Sequence, residues 1–241
     1  MENIMNQKAD INNERNTYRS AVTGDVSFLY LIMYEIVTML FVGFPGYLGM
    51  VFRGFFFRFM FRKIGKNVKF GRNLIIHYAR KIEIGDNVIF EDNVLLNGNG
   101  ESEGSLKIGN NVTVGRGTSI ICKGGDIDIG ENCSFGSNNF IASESILRMG
   151  QYVFTAGNTS IIAGGNHLYE QTDIPVRLQP VVSKGGIIMD DDIWIGASST
   201  ILDGVRIGKG AVVGAASLVN KRIRPYTINV GTPSQTIKRR E

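Results

Sequence analysis

The sequence predicts an all-β chain, a parallel β-helix of stacked triangular coils, with an apolar α-helical hairpin ahead of it. Three observations carry this. A large aliphatic residue followed by glycine recurs on a six-residue grid, thirty glycines occur without collagen periodicity, and one abrupt apolar segment precedes the repeats.

Residues 1–25 are polar and rich in Asn, Glu, Lys and Arg, without continuous apolar periodicity, and read as a mobile tail or a short surface helix. At Val26 the texture changes to VSFLYLIMYEIVTMLFVGFPGYLGMVFRGFFFRFMFRK. Residues 26–63 read as two apolar helices broken at Pro45-Gly46. The first, residues 26–44, is about as long as a bilayer span, yet carries Glu35 near its middle, where an unpaired charge costs about 3 kcal/mol. The second mixes Arg53, Arg58, Arg62 and Lys63 with Phe52, Phe55, Phe56, Phe57, Phe59 and Phe61, which suits the interface of an anionic leaflet. The expectation is a hairpin that dips into or lies on a membrane. A helix pair packed against the β-helix or a neighbouring copy is the alternative. The apolar stretch starts late, runs long and lacks an A-x-A exit, unlike a cleaved signal peptide.

Residues 64–224 carry the repeats. Ile64-Gly65, Phe70-Gly71, Ile84-Gly85, Ile108-Gly109, Val114-Gly115, Ile129-Gly130, Phe135-Gly136, Met149-Gly150, Ile195-Gly196, Ile207-Gly208 and Val213-Gly214 mark the grid, with Ile120, Ile141, Ile161, Ile201 and Val219 in intermediate slots. Six residues suit a short strand and a tight corner: the aliphatic points inward, and the Gly, Asn or Asp tolerates the corner. Three such edges close a coil of about 18 residues, and stacked coils pair as parallel strands. A β-sandwich would show longer alternating strands and different turn spacing. The largest interruption, residues 165–186, reads GNHLYEQTDIPVRLQPVVSKGG and is too polar and proline-containing for the wall, so it forms a protruding loop. Residues 225–241 follow the last full repeat.

Composition narrows the chemistry. The two cysteines, Cys122 and Cys133, form no CxxC, and two histidines are too few for a three-histidine metal site, so no metal is expected. The net charge of +4 and the pI near 9.1 permit an anionic partner. The solenoid shows no aromatic-plus-basic face, so nucleic acid is not an expected partner.

His167 opens the protruding loop, and histidine is the residue type most suited to taking a hydroxyl proton as a general base. His77, in IIHYARKIEIG, reads as wall or corner packing. GGNHLYEQTDIP followed by IIMDDDIWIGASSTILDGVRIGKGAVVGAASLV resembles the hexapeptide-repeat acyltransferases, in particular sugar and polysaccharide O-acetyltransferases related to the galactoside and maltose acetyltransferases. The resemblance covers residues 64–238 and is most specific from Met149 onward.

That resemblance implies a left-handed coil, a hand that spacing alone does not give, and assigns His167 as the general base. It places Trp194 of DDIWIG beside the acceptor or pantetheine channel, and makes Asn138, Glu144 and Asn158 candidates for substrate binding. Ala197, Gly214 and Ala215 fall at positions for coenzyme A amide contacts, with Lys221 and Lys238 supplying charge for its phosphates. INVGTPSQTIK resembles the family's ending, which implies that residues 225–241 fold back over the coenzyme A groove, but Asn229 and Ser234 replace small apolar residues and Gln235 stands where some relatives are basic.

The expected function is transfer of acetyl from acetyl-CoA, its co-substrate, to a hydroxyl of a lipid-linked or polymeric envelope glycan, and the resemblance implies a homotrimer. The expected location is the cytoplasmic side of a bacterial inner membrane, peripheral or monotopic, or the cytoplasm if the hairpin is packed. The alternatives are N-acetylation of a nucleotide-linked amino sugar and a non-catalytic scaffold at a membrane.

Overall fold

The computed structural model describes residues 18–241, so most of the polar tail lies outside the described residues. Among the described residues three α-helices precede the repeats: α1 (Tyr18–Val22), α2 (Phe28–Phe41) and α3 (Gly46–Phe56). Ser27 caps α2, its hydroxyl accepting from the Tyr30 amide at 3.2 Å. Pro45, extended at φ −78°, separates α2 from α3. At 14 residues, α2 is about 21 Å long against a hydrocarbon core of about 30 Å. No helix among the described residues is long and apolar enough to cross a membrane.

Seven coils follow, each with one strand on each of three faces. The first holds β1 (Lys63–Ile64), β2 (Lys69–Phe70) and β3 (Ile75–His77); the second β4 (Ile82–Ile84), β5 (Ile89–Phe90) and β6 (Leu95–Asn97). The third holds β7 (Leu106–Ile108), β8 (Thr113–Val114) and β9 (Ser119–Cys122); the fourth β10 (Asp126–Ile129), β11 (Ser134–Phe135) and β12 (Phe140–Ser143). The fifth holds β13 (Ile146–Met149), β14 (Val153–Thr155) and β15 (Ser160–Ala163). There the chain leaves as the loop, with β16 (Asn166–His167) and β17 (Val181–Val182). The sixth coil holds β18 (Ile187–Met189), β19 (Ile193–Ile195) and β20 (Thr200–Leu202), and the seventh β21 (Arg206–Ile207), β22 (Val212–Val213) and β23 (Leu218–Val219). β24 (Thr227–Val230) extends the second face and β25 (Gln235–Arg239) folds back antiparallel on it. The coils form a left-handed parallel β-helix.

The grid residues fill the interior in columns. On the third face Ile76, Leu96, Ile120, Ile141, Ile161, Ile201 and Val219 stack inward, nearly all fully buried. Each contributes about 1.5–3 kcal/mol by burial. The second face carries Phe70 and Phe90 stacked at 5.5 Å, with Phe57 and Phe61 of the hairpin against Phe70 at 5.4 and 5.7 Å. The corner between the first and second faces has residues with positive φ at Asn67, Asn87, Asn111 and Asn132. Their amides hydrogen-bond from coil to coil at 3.0–3.1 Å.

The hairpin seals the open edge of the first coil. Tyr34 Oη donates to the Ile76 carbonyl at 2.7 Å. Arg53, 2% exposed, donates to the carbonyls of Phe70, Phe41 and Phe44. It thereby satisfies an edge strand and the end of α2 together.

Candidate functional site

The loop is rooted at the corner between the third and first faces. The chain leaves through Gly164 and Gly165 and returns through Gly185 and Gly186, all at positive φ. A Cβ at Gly186 would lie 2.2 Å from the Ile146 carbonyl oxygen, so only glycine lets the returning strand pass this close. β16 pairs antiparallel with β17, setting Asn166 opposite Val182 and His167 opposite Val181. The His167 backbone is thus part of a ladder, while its side chain is exposed.

Asp203, on the sixth coil and 6% exposed, ties both ends of the loop together. It accepts from Asn166 Nδ2 at 2.8 Å, from the Gly186 amide at 2.9 Å, and from the Lys184 amide and the Ser183 hydroxyl. Gln179, 4% exposed, staples the loop interior by donating to the carbonyls of Gln171 and Ile174 at 2.8 and 3.0 Å. Neither residue stands out in the sequence. For Asp203 the one available signal was an Asp-Gly pair at a corner facing the loop root.

Glu144 lies at the same corner one coil earlier. Its Oε1 pairs with Lys123 Nζ at 2.7 Å, and its carboxylate is 3.3 Å from where a Cβ would stand on Gly165. His167 and Glu144 therefore share one edge of the prism.

Asn138 and Asn158, at φ 58°, and Ala197, Gly214 and Ala215 lie on another edge, between the second and third faces. Beneath them runs a buried polar column of Thr118, Asn139, Thr159, Ser199 and Ser217. Asn139 donates to Thr155 Oγ1 at 2.9 Å and accepts from the Thr159 amide at 2.7 Å, and Ser199 Oγ donates to the Gly214 carbonyl at 3.0 Å. These bonds fix the corner backbone, leaving small side chains and peptide groups at its surface.

Trp194 stands on neither edge. It points outward from the second face, 53% exposed, between Phe154 and Val212 on the neighbouring strands. That face lies opposite the edge bearing His167, so one copy of the chain keeps the two apart. Lys221 and Lys238 are exposed beyond the last coil, with Lys238 on β25 opposite Ile228. Arg240 turns the other way, bonding Asp192 Oδ2 at 3.1 Å and the Gly210 carbonyl at 2.8 Å. Asp190 and Asp191 also serve the wall: Asp190 pairs with Arg206 at 3.0 Å, and Asp191 accepts from the Gln151 amide at 2.9 Å.

Burial lowers the His77 pKa below its ordinary value, as suits a neutral packing residue on β3. Desolvation pushes the thiols of Cys122 and Cys133 up to about 12 and about 11. Among the described residues, no three His, Cys, Asp or Glu side chains gather as a metal site.

A family model described as hexapeptide repeat of succinyl-transferase matches residues 187–221, which span the sixth and seventh coils. Over these two coils the chain resembles the hexapeptide-repeat acyltransferases. It is similar to a probable acetyltransferase of Mycobacterium tuberculosis, 29% identical over 136 residues, 56% of this chain and 45% of that protein. A chloramphenicol acetyltransferase of Klebsiella aerogenes is 35% identical over 74 residues, 31% of this chain and 35% of that protein. The chain thus spans about half or less of the length of these curated relatives. Among solved structures, a variant of AntD, an N-acyltransferase from Bacillus cereus in complex with dTDP and coenzyme A, superposes with a TM-score of 0.52. It is 26% identical, and the match covers 83% of this chain and 91% of that one.

Proposed function

We propose that this hexapeptide-repeat chain transfers acetyl from acetyl-CoA to a sugar hydroxyl, with His167 as general base. The observation that carries the reading is the placement of His167: an exposed imidazole on a backbone ladder whose root is held by the buried Asp203. A base so held loses little orientational freedom when it meets an acceptor.

In this reading the imidazole takes the hydroxyl proton as the oxygen attacks the thioester carbonyl. The tetrahedral oxyanion is stabilised by a backbone amide or an Asn side chain, and the thiolate of coenzyme A leaves. The edge lined by Asn138, Asn158, Ala197, Gly214 and Ala215 is the pantetheine groove, and Lys221 and Lys238 meet the phosphates. Glu144, beside the loop root, contacts the acceptor. Trp194 and His167 point away from each other in one chain, so a complete site takes Trp194 and the groove from a neighbouring copy, in a trimer. The exposed Phe154 and Trp194 of the second face and Tyr169 and Leu178 of the loop are then interface surface. The acceptor is a lipid-linked or polymeric glycan, and residues 26–63 hold the enzyme peripherally at the membrane that carries it.

A second reading is acylation of an amino sugar on a nucleotide, favoured by the likeness to AntD, one of whose structures contains dTDP-4-amino-4,6-dideoxyglucose. Thiol release from acetyl-CoA with neutral glycans and with nucleotide-linked amino sugars separates the two. His167→Ala is expected to lower turnover about 10²–10⁴-fold, and undiminished turnover in that variant overturns the mechanism.

A further inference from the structure

Each hairpin helix has two apolar faces, and the solenoid uses only one. Tyr30, Tyr34 and Val37 of α2, with Arg53 of α3 and Phe57 just beyond it, are buried against the first coil. On the opposite side Leu29 is 78% exposed, Met39 76%, Tyr47 74% and Leu48 61%, with Ile32, Ile36, Val51 and Phe55 among them. Positions 29, 32, 36 and 39 follow one face of α2, and 47, 48, 51 and 55 one face of α3. An apolar patch of this kind marks an interaction surface.

The surrounding charge selects the partner. Arg58 at the end of the hairpin and Lys63, Lys66 and Lys69 of the first coil are exposed, and none makes an ion pair among the described residues. Arg58 and Lys69 also line a groove of about 280 Å³ between α3 and the first coil, whose apolar walls are Met50, Val51, Ile64 and Val68. Apolar side chains flanked by unpaired cations match an anionic bilayer surface, where acyl chains and headgroup charge meet at one depth.

We infer that this face docks flat on an anionic leaflet and stands the β-helix upright, holding the His167 corner well clear of the bilayer. This rests on the membrane contact proposed above for residues 26–63 and adds an orientation. The buried face of the hairpin meets the end of the coil stack, so its exposed face looks outward along the solenoid axis. The loop root lies between the fifth and sixth coils, about 20 Å from the first at ~4.8 Å per coil. The hairpin adds about 10 Å, of which about 5–10 Å enters the interface, leaving His167 about 20–25 Å above it. An acceptor anchored in the same leaflet therefore reaches His167 only as an extended glycan chain. A lipid bearing one or two sugars falls short.

The test uses the full chain and vesicles of phosphatidylcholine, alone or mixed equally with phosphatidylglycerol, with brominated acyl chains as tryptophan quenchers. Flotation with the mixed vesicles only, weakened by salt, is expected. Trp194, the single tryptophan, is expected to keep its emission on bound vesicles. A tryptophan moved to the hairpin, as Leu48→Trp or Leu29→Trp in a Trp194→Phe background, is expected to lose about half of its emission. Equal quenching of Trp194 and of the hairpin tryptophans overturns the upright orientation. Failure to float overturns the docking, and sedimentation of a larger assembly that Leu48→Glu dissolves would then assign the face to a second copy. None of these readouts uses acetyl transfer, so their failure is distinct from failure of His167→Ala to reduce turnover.

Discussion

Asn166 Nδ2 donates to Asp203 Oδ2 across 2.8 Å, linking the residue before His167 to a carboxylate on the next coil. The same carboxylate receives the amides of Lys184 and Gly186, so the outgoing and returning strands of the loop are anchored at one buried point. The loop is accordingly a fixed platform whose root belongs to the solenoid.

Asp203→Ala is expected to leave the solenoid folded while lowering the proposed acetyl transfer about tenfold or more, because the proposed base His167, if misplaced by about 1 Å, loses rate. A positioning role predicts a fall in kcat with little change in the KM for acetyl-CoA. Steady-state kinetics with circular dichroism on the same sample checks it, and an equal loss in both parameters would point to a damaged groove instead.

Asn139→Leu removes the acceptor for the Thr159 amide and the donor to Thr155 inside a closed interior. A cost of about 1–3 kcal/mol per stranded group is expected, read as a lowered midpoint in urea. The corner above should loosen as well, weakening coenzyme A binding in calorimetry. Unchanged affinity would separate the polar column from the groove.

The buried thiols of Cys122 and Cys133, with pKa values pushed up to about 12 and about 11, are expected to resist maleimide at neutral pH. Mass spectrometry should count no label on the native chain and two after denaturation. Rapid labelling of the native chain contradicts the closed interior.

His77 gives a pH dependence of defined sign. Burial lowers its folded pKa below the unfolded value of about 6.5, so the unfolded state binds the proton more readily. Its contribution is fully present above that value and is lost as pH falls through the folded pKa. Melting temperature is expected to drop, as pH falls below about 6.5, more steeply in the native chain than in His77→Gln. Parallel slopes would remove His77 as the cause.

The coil architecture was legible because its signal is local and repeated. A short edge and a tight corner need the same residue types every six positions, so Ile84-Gly85, Ile108-Gly109 and Ile129-Gly130 announce one column before any contact is known. The protruding loop was legible as a break in that grid, and His167 as the group at its start.

What holds the loop was not legible. Asp203 stands 36 positions after His167, and an Asp-Gly pair at a corner reads as an ordinary turn until coil stacking brings it under the loop root. Asn139 likewise looks like a corner residue beside Asn138. Its inward orientation is decided by which neighbour takes the positive φ: Asn138 does, so Asn139 turns into the interior.

The repeat, the loop and the apolar hairpin are written in the chain itself, because hydrophobic period and corner chemistry act over six residues or fewer. Folding was needed to show that the hairpin seals the first coil through Tyr34 and Arg53 while keeping a second apolar face outside. It likewise placed His167 and Trp194 on opposite sides of one chain. The physical reason is that stacking joins residues about a coil or more apart, and which side chain finds a buried partner depends on that register.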